Sequence, residues 1–104
     1  MGALNDLAKE VHRNAVNHGW WESDRPFAEV LINIEGEVLE LWEAYRRGTL
    51  DDQCDKPVPL TCKEEELADI IIRVLDLCGR QKVDIDKAVE LKHAFNKTRP
   101  YKHG

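Results

Sequence analysis

Two pairs of carboxylates stand at helical spacing. Glu37 and Glu40 lie in the run Glu35-Gly36-Glu37-Val38-Leu39-Glu40-Leu41-Trp42-Glu43-Ala44-Tyr45-Arg46. Glu66 and Asp69 lie in Glu64-Glu65-Glu66-Leu67-Ala68-Asp69-Ile70-Ile71-Ile72-Arg73-Val74-Leu75. Residues three apart share one face of a helix, and like charges there cost a few tenths of a kcal/mol. Beside a core the cost rises, because carboxylates resist leaving water. A hard divalent cation removes both penalties, since Mg²⁺ takes oxygen ligands in near-octahedral array. Glu37, Glu40, Glu66 and Asp69 are therefore candidate ligands of one metal site, for Mg²⁺ or for Mn²⁺ in its place. The other reading is a solvated or salt-bridged face, because the chain holds 20 Asp and Glu in 104 residues. Both pairs, however, border an apolar stripe instead of lying opposite it.

The stripes identify the elements that would position these acids. Val30, Leu31, Ile34, Val38, Leu41, Trp42 and Tyr45 recur at steps of three and four, as do Leu67, Ile70, Ile71, Val74, Leu75 and Cys78. The spacing predicts a first helix from about Ala3 to His18, with Leu4, Leu7, Ala8, Val11 and Ala15 on one face and Gly19 as its stop. Ser23 or Asp24 can cap a second helix with Pro26 in its first turn. It runs to Arg47, a length of roughly 33 Å. Thr49 to Leu60, with three aspartates and two prolines, reads as a loop that is functional or mobile. Thr61-Cys62-Lys63-Glu64 is a capping box opening a third helix from Cys62 to about Gly79. Asp84 caps a fourth, through Phe95 to about Asn96. No stretch alternates long enough for a strand. The expectation is all-α, a four-helix bundle completed by oligomerisation, as a single domain over 1–104.

Two further groups could bind a ligand. Adjacent Trp20 and Trp21 cannot face the same way; one can serve the core while the other lines a pocket where a flat ring stacks. The tail concentrates Lys92, Lys97, Arg99 and Lys102 in a chain of net charge −5. Lys92, Asn96 and Arg99 fall on one helical face, although Pro100 disfavours helix at Arg99. Lysine as a point charge, arginine as a fork and asparagine as a neutral donor can together hold an anion. The tail can equally be a solvated basic end that meets a helix dipole. Acids for a metal, cations for phosphate and a ring to stack make the inventory for a nucleoside polyphosphate, with metal bridging the acids and the phosphates.

Composition narrows the field. The acidic balance gives no basic footprint for nucleic acid. No apolar run reaches membrane-spanning length, and the N-terminus lacks a signal-peptide core. Cys54, Cys62 and Cys78 cannot all pair within one chain and show no CxxC spacing, which points to a reducing, cytoplasmic setting. A zinc site from Cys54 and Cys62 has the wrong ligand spacing. A di-iron site needs two Glu-x-x-His units, and Glu90-Leu-Lys-His93 supplies only one.

Glu37-Val-Leu-Glu40 followed after a loop by Glu66-Leu-Ala-Asp69 resembles the ExxE…ExxD signature of MazG-like nucleotide pyrophosphohydrolases, of the all-α nucleoside triphosphate pyrophosphatase superfamily. The flanking residues, and the ending Lys92-x-x-x-Asn96-x-x-Arg99-Pro100-Tyr101-Lys102-His103-Gly104, extend the resemblance over nearly the whole chain. It implies hydrolysis of a nucleoside triphosphate, notably a deoxynucleotide, to monophosphate and pyrophosphate, with a house-cleaning role. It implies Mg²⁺ held by Glu37, Glu40, Glu66 and Asp69, which would carry the catalysis. It also implies phosphate contacts from Lys92, Asn96, Arg99 and Lys102, base stacking by Trp20 or Trp21, and a homodimer or homotetramer. The chemistry would be in-line attack of water on the α-phosphorus, with Glu43 or a ligand carboxylate accepting the proton. A phosphoribosyl-ATP pyrophosphohydrolase shares the scaffold and the acid pairs, and a non-catalytic helical interaction module is the alternative outside enzymes.

Overall fold

The computed structural model describes residues 2–102 and Gly104; His103, part of the closing segment noted above, lies outside the described residues. Four helices follow in order: α1 (Ala3–Asn17), α2 (Phe27–Arg47), α3 (Cys62–Gln81) and α4 (Ile85–Asn96). No strand occurs among the described residues, only an isolated bridge between Gln53 and Thr61. None of the described helices is long and apolar enough to cross a membrane. The all-α expectation holds.

α3 is the central element, packed against both α1 and α2, while α4 packs on α1. The core is thin and falls into two clusters. Ala8, Leu75 and Cys78 form one, with Val11, Val74 and Ile85 against them. Ala15, Trp21 and Val30 form the other, with Ile34 and Leu77. Small residues set the α1–α3 distance. A Cβ at Gly79 would stand 2.6 Å from the Cβ of His12 and 2.8 Å from the Ala8 carbonyl oxygen. Gly79 is thus a contact point inside α3 and not its end. The helix continues to Gln81 and stops at Lys82, whose φ of 56° is left-handed.

The start of α3 follows its sequence signal. Thr61 Oγ1 accepts from the Glu64 amide, and the Thr61 amide donates to Glu64 Oε1 at 2.9 Å. The start of α2 does not. Neither Ser23 nor Asp24 caps it, and Pro26 occupies the N-cap position without a side-chain bond. Asp24 instead accepts from Arg80 at 2.8 Å. The 49–60 segment is pinned, with Cys54 donating its amide to Leu60 and the Cys62 amide returning to Asp52.

α1 and α4 begin side by side and cap each other. The Leu4 and Asn5 amides donate to the Asp86 carboxylate, at 3.2 and 2.8 Å. Asn5 Oδ1 accepts from the Ile85 and Asp86 amides in return. Each helix thereby meets some of its orphan N-terminal donors with a side chain of the other. Gly2 permits the approach, since a Cβ there would overlap the Asp86 carboxylate.

Candidate metal centre and nucleotide site

Where α2 crosses α3, carboxylates of both helices converge. Glu37, Glu40 and Glu66 each offer an oxygen within 4.8 Å of the others. Glu37 Oε2 and Glu66 Oε2 are buried without any hydrogen-bond partner. Buried oxygens without donors are costly unless something supplies positive charge. The donor set is all carboxylate oxygen, the chemistry that suits Mg²⁺ or Mn²⁺. The residues present therefore fit a hard divalent cation. Asp69 stands outside this closest group but beside it.

The electrostatics tell the same story. Burial pushes the Glu66 carboxyl up to about 7, with the Glu40 charge and a hydrogen bond shared with Glu40 adding to it. Burial also raises Asp69, with Glu37 and Glu65 adding and Arg73 and Lys56 opposing. Without a cation, a proton is what relieves the crowding. Glu43 differs. Arg46 donates to it at 2.9 Å and holds its carboxyl below the usual range.

Two cations at the cluster were not legible as site residues. Arg73 Nε lies 3.3 Å from Glu37 Oε1. The signal was its place one turn after Asp69, on the same face. Lys56 Nζ lies 3.1 Å from Glu65 Oε2 and 2.7 Å from Asp55. It is the sole cation in the 49–60 segment, which leads straight into the acid-bearing helix. Lys56 and Arg47 line a cleft of about 670 Å³ together with Glu40, Glu65 and Glu66.

The tryptophans divide. Trp21 is 9% exposed, and its indole N–H donates to Asp76, so its edge is fixed in the core. Trp20 is 44% exposed, with the Arg73 guanidinium carbon 4.3 Å from its ring centroid. It lines a cleft of about 250 Å³ between α1 and α3.

The tail lies elsewhere in the single chain. Asn96, Arg99 and Lys102 line a separate cleft of about 450 Å³ that contains none of the four acids. Lys92 and Arg99 instead approach the Phe95 ring, at 4.9 and 5.7 Å from its centroid. Asn96 Oδ1 is buried without a partner. One copy does not bring the basic residues to the carboxylates.

An all-helical chain with carboxylates shared between two crossing helices is similar to the MazG-like nucleotide pyrophosphohydrolases, and sequence comparison finds the same likeness. Over 99 residues the chain is 29% identical to dCTP pyrophosphatase 1 of Bos taurus. The match covers 92% of this chain and 58% of that protein, so the chain spans little more than half of its relative's length. It is a distant relative of that pyrophosphatase. No protein-family model and no solved structure matches the chain.

Proposed function

We propose that the chain is a Mg²⁺-dependent nucleoside triphosphate pyrophosphohydrolase. It would convert a (d)NTP and water to the monophosphate and pyrophosphate, cleaning the nucleotide pool of the cytoplasm. The observation that carries this reading is the convergence of Glu37, Glu40 and Glu66 oxygens, two of those residues holding a buried oxygen with no donor. That the relative is a dCTP pyrophosphatase supports it and makes dCTP the first nucleotide to test.

Glu37, Glu40 and Glu66 would hold the cation, with Asp69 completing the set. The cation, when bound, supplies Lewis acidity toward the phosphate oxygens and acidifies a water. Lys56 and Arg47 offer positive charge along the adjoining cleft, suited to the leaving pyrophosphate. Trp20 offers an accessible ring for the base. Glu43, tied to Arg46, lines the adjoining cleft, and it or a carboxylate of the cluster would accept the proton.

A second copy would complete the site. α2 leaves Ile32, Leu39, Trp42 and Tyr45 exposed, and Ile71 of α3 is exposed as well. An apolar cleft of about 410 Å³ lies among Val38, Trp42, Tyr45 and Leu67. Covering this surface in a homodimer or homotetramer would let Lys92, Asn96, Arg99 and Lys102 of one copy reach the phosphates held by another.

The test is a panel of ribo- and deoxynucleotides with Mg²⁺, scored for pyrophosphate release, with dCTP included. Release that needs Mg²⁺ supports the reading. Uniform inactivity, together with no Mg²⁺-dependent thermal stabilisation, overturns it in favour of a helical interaction module.

A further inference from the structure

Arg73 joins the two halves of the candidate site. It pairs with Glu37 across the α2–α3 contact, and the two side chains are 29% and 13% exposed. An ion pair so withdrawn from water is less screened than a surface pair. The carbon of the same guanidinium lies over the Trp20 ring. With Trp20, Asn14 and Asp76 it lines the α1–α3 cleft. Arg25 approaches Trp20 at 5.8 Å, so the ring lies near two guanidinium groups.

Glu37 has one oxygen engaged by Arg73 and one with no partner. The free oxygen is the one open to a cation, which would then share Glu37 with the guanidinium. A dication among Glu37, Glu40 and Glu66 would stand beside the guanidinium, and like charges repel strongly across a poorly hydrated gap. We infer that Arg73 is a positioning residue that links the cation site to Trp20: it pairs with Glu37 while the cation is absent, and cation binding loosens that pair and leaves the guanidinium on Trp20 in the α1–α3 cleft. There its planar fork, already laid on the indole, faces an acceptor oxygen of the nucleotide. This link rests on the carboxylate cluster being a cation site.

The test uses the full chain with Mn²⁺ alone, without nucleotide. Calorimetry gives the dissociation constant and tryptophan emission reports the ring. Wild-type emission should change in step with Mn²⁺ saturation, and Trp20→Phe should remove most of that change while still binding the ion. Arg73→Met should bind Mn²⁺ several-fold more tightly, because nothing competes for Glu37, and its emission should no longer respond. Arg73→Lys, which keeps the charge, should stay near wild-type affinity. Arg73→Gln serves the same comparison should the methionine variant fail to fold by circular dichroism. Equal or weaker affinity in Arg73→Met or Arg73→Gln, or a wild-type emission silent through saturation, overturns the link and leaves the cation site standing. Absence of Mn²⁺ binding in wild type overturns both.

Discussion

The Trp21 indole N–H donates to Asp76, 3.0 Å from Oδ1 and 3.2 Å from Oδ2, tying the α1–α2 connector to the middle of α3. His12 Nδ1 adds a second contact to Oδ1 at 2.8 Å. Asp76 is only 4% exposed. Asp76→Ala leaves the indole and the imidazole without their buried acceptor and should cost about 2–4 kcal/mol in urea unfolding. Asp76→Asn keeps an acceptor oxygen and should cost less. A loss below about 0.5 kcal/mol for the alanine variant, the range of an ordinary surface change, would show that the network does not hold the connector.

Stability should depend on pH through Glu66. Its carboxyl is raised from 4.5 to about 7 in the folded chain, first by burial and then by Glu40. Between those values the folded state binds more protons than the unfolded one. Stability in the metal-free protein should therefore be fully present below about pH 4.5 and fall as pH rises through about 7. The raised Asp69 acts in the same direction. Melting temperatures measured in chelator should decline across this window, and Glu66→Gln should flatten the decline. Mn²⁺ affinity should rise over the same window, as protons cease to compete for the carboxylate.

Removing charge from single acids tests the chemistry. Glu40→Gln and Asp69→Asn should each abolish turnover of the preferred nucleotide, by about 100-fold or more, while circular dichroism shows the helices unchanged. Full activity with Mg²⁺ in either variant would remove that residue from the site. Asp69 is the sharper case, because the closest group of carboxylate oxygens does not include it.

The uncovered α2 face makes a statement about assembly. Trp42 is 52% exposed and stacks on Tyr45 at 5.5 Å between ring centroids. In the proposed oligomer, Trp42→Glu should shift the chain to a monomer in light scattering and lower pyrophosphate release with it. A wild-type monomer that is fully active would instead require the basic tail to be dispensable.

Much of this architecture was legible because its signals are local. Thr61 and Glu64 cap α3 as their spacing dictates, and Gly48, at φ 73°, ends α2. The acid pairs were legible because i and i+3 share a face whatever else the chain does. Long-range relations were not. Asp24 has the chemistry of a cap, but Arg80, 56 residues away, takes it. Gly79 looks like a helix stop until α1 is seen pressing on it. Arg73 gains no role from the sequence until Glu37 and Trp20 are placed around it. The tail joins the acids on paper because both suit a triphosphate, yet its position depends on where α4 docks.

That docking has a mechanical consequence. Asn5 and Asp86 exchange acceptors between the first turns of α1 and α4, like two hands in a clasp. The first helix and the tail helix are thereby tied to one another beside the point where Lys82 and Val83 leave α3. Displacing α4 as a body must either carry the start of α1 with it, against the close contact at Gly79, or first unclasp Asn5 from Asp86.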